Sequence, residues 1–404
     1  MPTMTTEPVR DAFDAGGRGL QHQGLRRANE RAVLTIIGFN PGVSNADIAR
    51  LSGLAPQTVS AILIDLDGLG LITRGEVLRG RRGQPATPIS LNPEGAFSVG
   101  VEIGWRHVDV LLLNLQGQVL ARRHRDHDFP DATAIVDDIV AMTDEVLATL
   151  PDSLRARLTD IGVALPTNIA GNLALVVAPE DQKEHWLQLD IAAALKQRMG
   201  IAVTLFNDGN AACWAELIAF PKPRPANFIY FLIGRYIAAG IVGEGTLWEG
   251  PSDNSANLGS MLVDGADGPQ VAHFIASVTA LENRLVATGF AVDTRDPASW
   301  PWQDFGPALD QWLADSAKAL AKVVFNTMTV IESGLVLVDS ILPPAIVMQL
   351  VERLEAELRL LPIASYVPPQ VLPGHLGALA PAIGGAELTL YRRYFSRTLA
   401  DLAG

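Results

Sequence analysis

Gln57, Thr58, Ser60 and Ala61 form a run of small, uncharged side chains at the start of an apolar-periodic segment. Amides and hydroxyls of this kind can read base edges in the major groove of DNA, and Ala61 can meet a thymine methyl. A second set of contacts follows in GEVLRGRRGQPATPISLN, Gly75 to Asn92, where Arg79, Arg81 and Arg82 sit among glycine and proline. An extended, arginine-bearing arm suits a narrow minor groove or a row of phosphates. A solvated basic loop is the plainer reading of the same residues.

Reading of this kind requires a rigid pair of helices, and SNADIARLSGLAPQTVSAILIDLDGLGL, Ser44 to Leu71, supplies one. Ser44 is placed to cap a helix, Asp47 lies near the positive end of its dipole, and Gly53 can end it. Pro56 suits the first turn of a second helix reaching about Asp67, in which Val59, Ile62, Leu63 and Leu66 make one buried stripe. Ala49, Gly53 and Val59 fall where two such helices approach, turn and pack, which reads as a helix-turn-helix rather than an ordinary helix pair. Arg26 to Phe39 has helical spacing through Ala28, Val33, Ile36 and Ile37, and Asn40-Pro41-Gly42 breaks it. With a strand from Leu69 and a hairpin over Gly75–Asn92, residues 24–92 are expected to form an α+β winged helix-turn-helix. Because one recognition helix covers only a few base pairs, a symmetric pair of chains is expected on double-stranded DNA.

The net charge of −13 argues against nucleic acid until its distribution is considered. Residues 1–90 hold ten arginines and eight acidic residues, so the acidity belongs to the rest of the chain. That pattern is compatible with a reader held out at one end of an acidic body. Cys213 is the single cysteine, which rules out an intramolecular disulfide and a multi-cysteine zinc site, and AACWAEL around it reads as a buried helix. Residues 1–23 read as a flexible tail without the apolar run of a signal peptide, and no stretch is long and apolar enough to span a membrane. A cytoplasmic protein is expected.

Pro93-Glu94-Gly95 reads as a linker, after which Ser98–Ile103 and His107–Leu115 alternate as strands and Gly117 turns into a third. A helix is expected over about Ala132–Leu150, strands at Leu158–Leu165 and Ala202–Phe206, and helices at Ile191–Met199 and Gly209–Ala219. A second round follows, with strands at Phe228–Ile233, Ala239–Val242 and Leu335–Val338. Its helices fall at about Gln311–Val324, Pro344–Leu358 and Gly385–Leu402. Two rounds of meander, helix, strand and helix suggest a duplicated α/β unit. This order of parts resembles the ROK family of repressors, open reading frames and sugar kinases, over nearly the whole chain from Arg26. The resemblance implies a two-lobed, actin-like or hexokinase-like (ASKHA) α/β domain over 93–404, behind the winged reader.

The best-preserved family element is FNDGNAACWAE, Phe206 to Glu216, similar to an Asn-Asp-x-Asn motif at a strand end. By resemblance Asn207 binds a sugar hydroxyl and Asp208 is the position that, in a kinase, removes a proton from the attacking hydroxyl. A carboxylate there can equally accept hydrogen bonds from a polyol, and either residue can cap the following helix. The nucleotide side departs from the family. Glu102, Gly104 and Trp105 stand where kinases have an aspartate and two glycines, Arg235 and Tyr236 replace small residues, and Asp339 and Ser340 replace a glycine pair beside adenosine. Phosphate cradles need glycine-rich turns, so ATP binding and kinase activity are expected to be lost.

On the sugar side, Asn257 and Ser260 in SANLGSML replace a family glutamate and a zinc-binding histidine, and the accompanying cysteines are absent. No metal or cofactor is therefore expected. Glu282 matches a further sugar-contacting glutamate, Thr167 replaces a glycine, and Glu180, Asp181 and Trp186 occupy another loop that lines the cleft in the family. Trp186 can stack on a sugar or belong to the core. Together these expectations describe a DNA-binding repressor, acting as a homodimer or as a tetramer, controlled by a sugar-like molecule between its lobes. The alternatives are an ATP-dependent carbohydrate kinase that also binds DNA, and a DNA-binding protein with no ligand.

Overall fold

Helices α1 (His22–Phe39), α2 (Asn45–Ser52) and α3 (Pro56–Gly68) open a computed structural model that describes residues 22–77, 87–251, 254–265, 268–293, 295–362 and 367–396. The Ser44 hydroxyl accepts from the Asp47 amide at 3.2 Å, and Gly53 ends α2 in the left-handed region at φ 67°. Pro56 opens α3, whose Val59, Ile62, Leu63 and Leu66 are buried against Val33, Ile36 and Ile37 of α1 and Ile48 of α2. Each such side chain contributes ~1.5–3 kcal/mol relative to exposure. Strand β1 (Ile72–Arg74) pairs antiparallel with β2 (Ile89–Leu91), as in a wing. Its connecting segment, 78–86, lies outside the described residues, as do residues 1–21 of the expected tail. Residues 22 and 23 of that tail already belong to α1.

Strands β3 (Phe97–Ile103), β4 (His107–Asn114) and β5 (Val119–Asp126) form the expected meander. Helices α4 (Ile135–Leu147) and α5 (Asp152–Arg155) lead to β6 (Leu158–Leu165), and α6 (Ile169–Asn172), α7 (Asp181–Gln188) and α8 (Ile191–Met199) to β7 (Ala202–Asn207) and α9 (Asp208–Ala219). The sheet order is β5-β4-β3-β6-β7, with the last two strands parallel to β3.

The second lobe repeats the plan. Strands β8 (Phe228–Ile233), β9 (Ile237–Gly243) and β10 (Thr246–Leu247) form a meander, and β11 (Leu262–Gly265) and β12 (Gly268–Val271) a separate hairpin. Helices α10 (His273–Ala276), α11 (Val278–Ala287) and α12 (Gly306–Met328) precede β13 (Leu335–Ser340). After it come α13 (Pro344–Leu360), β14 (Gln370–Pro373) and α14 (Ala380–Tyr394). The order β10-β9-β8-β13-β14 mirrors the first sheet. Helices α12 and α14 start earlier than expected because Pro307 and Pro381 occupy their first turns, where a missing amide proton costs nothing. No described helix is long and apolar enough to cross a membrane.

Helix α14 lies at backbone contact with α9 and with the first sheet. A Cβ at Gly384 would stand 1.8 Å from the Ala211 carbonyl oxygen, and one at Gly162 would stand 2.0 Å from that of Gly385. Only glycine permits approaches this close.

The N-terminal unit, residues 22–92, is not held out from the body, which corrects the linker reading of Pro93–Gly95. Leu91 of β2 and α1 share one continuous core with Leu111, Leu113 and Phe395, so separating the units would bare apolar surface. Gln116 Nε2 donates to the Leu91 carbonyl at 2.8 Å, Arg157 Nη1 to that of Glu94 at 3.0 Å, and Arg31 Nη2 to that of Arg392 at 2.9 Å. The Ser396 amide donates to Thr35 Oγ1 at 2.9 Å, and Lys222 Nζ to Asn40 Oδ1 at the same distance.

Candidate functional site

Gln57, Thr58 and Ala61 stand exposed on the outer face of α3. Ile64, 67 % exposed, continues the Gln57–Ala61 row by one turn, an apolar position whose exposure the periodicity of the sequence does not reveal. Ser60 departs from expectation. Its hydroxyl donates to the Pro56 carbonyl and accepts from Asn45 Nδ2, both at 2.9 Å, so it ties α3 to α2. Arg74 is held by Asp67 at 3.2 Å, and Arg79, Arg81 and Arg82 lie outside the described residues.

A cavity of about 630 Å³ separates the two lobes. Asn207, Asp208, Thr167 and Asn257 all line it. Asn207 caps α9, because Oδ1 accepts from the Asn210 amide at 3.0 Å, while Nδ2 faces the cavity lining and donates to Thr167 Oγ1 at 3.0 Å. Thr167 in turn donates across the cleft to Asn254 Oδ1 at 2.7 Å. Asp208 accepts from the Gly209 amide at 2.8 Å. Burial pushes its pKa up to about 6, with the Glu102 charge adding to the effect.

Asn257 Oδ1 accepts from Ser260 Oγ at 3.1 Å, and His273 Nε2 stands 3.4 Å from the same hydroxyl. His273 Nδ1 accepts from the Ile237 amide at 3.1 Å, which leaves the ring proton on Nε2. Burial lowers the pKa of this imidazole to about 4, so it is neutral at pH 7. Gly259 makes room for it, since a Cβ there would lie 2.3 Å from the ring.

Two sequence-derived positions fall outside the cavity lining. Glu180 is exposed at the entrance to α7, which turns Trp186 inward to donate to the Pro130 carbonyl at 2.8 Å, so that aromatic is core. Glu282 is buried behind Arg235 and accepts from its Nη1 at 2.7 Å, acting on the cavity only through that guanidinium. Burial raises the Glu282 pKa and lowers that of Arg235, each opposed by the other's charge.

Trp105, Tyr236 and Asp339, three of the positions that depart from the family pattern, are held by neighbours in the fold. Trp105 of the first lobe meets Tyr236 of the second edge-on at 5.7 Å, and the Tyr236 hydroxyl donates to the Leu175 carbonyl at 3.1 Å. Asp339 accepts from the Ser340 and Gly377 amides at 2.9 and 2.8 Å, pinning the turn before α14. Burial pushes its pKa up to about 6, helped by the Glu216 charge. Glu102 and Asp109 pair directly across β3 and β4, and His124 pairs with Asp109 across β4 and β5. His107 Nε2 lies 3.5 Å from Glu102 Oε1 and 3.6 Å from Asp109 Oδ2. Glu102, His107 and Asp109 are the described residues whose donor atoms could converge on one metal ion. The sequence carried part of the signal, since His107 and Asp109 alternate with Val108, but only strand pairing brings Glu102 beside them.

A model of the ROK family matches residues 98–391. The xylose repressor of Bacillus spizizenii is 24 % identical over 248 residues, and the match covers 61 % of this chain and 63 % of that repressor. The crystal structure of a ROK family transcriptional regulator, a homologue of E. coli Mlc, superposes with a TM-score of 0.68 at 18 % identity, over 94 % of this chain and 100 % of that one. A ROK family glucokinase from Streptomyces griseus, in complex with glucose and AMPPNP, gives 0.57 at 20 % identity, over 72 % of this chain and 99 % of the kinase.

Proposed function

This chain belongs to the ROK family, and on that premise we propose that it is a DNA-binding transcriptional repressor whose two-lobed body senses a sugar-like small molecule. The observation that carries this reading is the mechanical continuity between reader and body. A helix-turn-helix whose outer face offers Gln57, Thr58, Ala61 and Ile64 is joined through one core to α14, which lies against α9, the helix that Asn207 caps at the cleft.

In this mechanism a polyol enters between the lobes and hydrogen-bonds with Asn207, Asp208, Thr167 and Asn257. It exchanges the Thr167–Asn254 bond for its own contacts and thereby changes lobe closure. α14 and α1 carry that change to the readers of a dimer, whose spacing on the operator shifts. The ligand acts only to the extent that it binds one closure more tightly than the other. Residues 24–92 are assigned to DNA reading, with Arg79, Arg81 and Arg82 on phosphates or the minor groove, and 93–404 to sensing and dimerisation. The xylose repressor and the Mlc homologue support a regulatory role.

The enzyme reading has one observation in its favour, the raised pKa of Asp208, which suits a general base. Trp105, Tyr236 and Asp339 stand at positions that, by the family resemblance, contact phosphates and adenosine in a kinase, and their bulk and mutual contacts favour a body that binds without transferring phosphate. The deciding experiment measures operator affinity, after selection of the operator from random DNA, with sugars, sugar acids, sugar phosphates and ATP added in turn. A sugar-dependent change without phosphate transfer supports the sensor. Transfer of phosphate from ATP that is lost in Asp208→Asn establishes the kinase instead, and an operator affinity unmoved by every compound establishes a ligand-independent DNA-binding protein.

A further inference from the structure

We propose that Glu102, His107 and Asp109 form a binding site for a divalent first-row transition metal ion, of the zinc or manganese class, in the wall of the cleft. The three residues come from β3 and β4, and the strand pairing that sets Glu102 opposite Asp109 places both carboxylates on the face that bears His107. His107 Nε2 stands 3.5 and 3.6 Å from one oxygen of each. These separations are long for hydrogen bonds. They approach the edge of a tetrahedron with metal–ligand bonds of about 2.0–2.1 Å, which is about 3.3 Å.

Three further observations point to an ion rather than to a self-contained polar cluster. Glu102, 7 % exposed, has one carboxylate oxygen, Oε2, with no hydrogen-bond partner among the described residues, and His107 Nε2 has none either. Buried polar atoms of this kind are costly unless a ligand satisfies them. Asp109 is also divided between two tasks. Its Oδ1 is taken by Arg122 Nε at 2.9 Å and His124 Nδ1 at 3.1 Å, while Oδ2 is turned toward His107. His124 is itself held through Nε2 by Asp126 at 3.1 Å, the kind of outer shell that orients a ligating carboxylate. Finally, Gly104 clears the space for the imidazole, since a Cβ there would lie 2.5 Å from His107 Cε1.

One imidazole nitrogen and two carboxylate oxygens form a borderline donor set that suits zinc or manganese better than magnesium. Three protein ligands leave at least one coordination position open. All three residues line the interlobe cavity, so that position is available to a hydroxyl or carboxylate entering the cleft. Metal binding does not depend on the DNA-binding reading, and the two can fail separately.

The test titrates zinc, then manganese, into the chelator-stripped full-length chain in competition with a chromophoric chelator. One zinc ion per chain is expected, with zinc tighter than manganese. His107→Ala is expected to weaken zinc at least about 100-fold, and His124→Ala about 10-fold, acting through Asp109. His107→Gln, which keeps the volume and a polar tip, guards against misfolding, and the melting temperature of each variant is recorded. Zinc binding that is equal in wild type and in both folded His107 variants overturns the assignment, because the remaining histidines then account for it. Absence of zinc binding to wild type at micromolar concentration overturns it too, leaving a protonated His107 between two carboxylates.

Discussion

Arg31 donates to the backbone carbonyl of Arg392, 361 residues further along the chain, so α1 is fastened to α14. Thr35, one turn on, accepts from the Ser396 amide just beyond that helix. The Arg31→Ala, Thr35→Val double variant is expected to lose ~1–2 kcal/mol of stability, about one net hydrogen bond each. Its effector affinity should stay near that of wild type while the effect of the effector on operator affinity shrinks. Fluorescence anisotropy on labelled operator, with and without effector, separates the two quantities. Undiminished coupling would remove this contact from the signalling route.

Gln57→Ala and Thr58→Ala are expected to weaken the selected operator by ~1–3 kcal/mol each while leaving non-specific DNA unchanged. Arg81→Ala and Arg82→Ala should lower affinity for all sequences and flatten its salt dependence by about one unit of slope each. Salt titrations on specific and scrambled duplexes distinguish the classes. Ser60→Ala should act chiefly on stability, because that hydroxyl is engaged with Pro56 and Asn45.

Asp208 carries a pH signature. Its pKa of about 6 in the folded chain lies above the ordinary carboxylate value of 3.8, so the folded state holds this proton more tightly than the unfolded state. The contribution to stability is therefore greatest at low pH and is lost as the pH rises from about 4 to 6. Asp208→Asn removes that loss and should stabilise the protein by ~1–2 kcal/mol at pH 7.5, a figure reduced because the carboxylate faces the cavity. At pH 4 the two proteins should melt together. Calorimetry at the two pH values checks this, and a gain that is equal at both would assign the effect to packing instead.

Glu282 and Arg235 form a pair whose side chains are 11 % and 7 % exposed. Glu282→Gln leaves the guanidinium buried without a counter-charge and is expected to cost ~3–5 kcal/mol. Replacing both, as Glu282→Leu with Arg235→Met, should cost much less. Denaturant unfolding of wild type, Glu282→Leu, Arg235→Met and the double variant forms a double-mutant cycle, and additive losses would show that the pair is not coupled.

Local chemistry was legible wherever a residue acts at the end of its own element. Ser44, Gly53 and Pro56 punctuate the helices as their side chains dictate, and Asn207 at a strand end both caps α9 and lines the cleft. Contacts set by distant pairing were not legible. Glu282 matched a ligand position by alignment, but the turn of α11 places it behind Arg235. Glu180 was set by the inward rotation of Trp186, a tertiary preference that the α7 sequence does not express locally. His273 carries no local signal, because its partners, Ile237 and Ser260, lie on separate elements. The Pro93–Gly95 segment has the composition of a linker, and its rigidity comes from Arg157, Gln116 and the core beneath it.

The seam between reader and body also bears on how such proteins can be recombined. Phe395 approaches Gly38, and Leu91 lies against the same glycine, so the underside of the N-terminal unit is shaped by the segment just after α14. Grafting a foreign reader at residue 93 would leave it seated on a surface cut for another. A working chimera has to exchange residues 22–92 together with the end of α14 and Phe395.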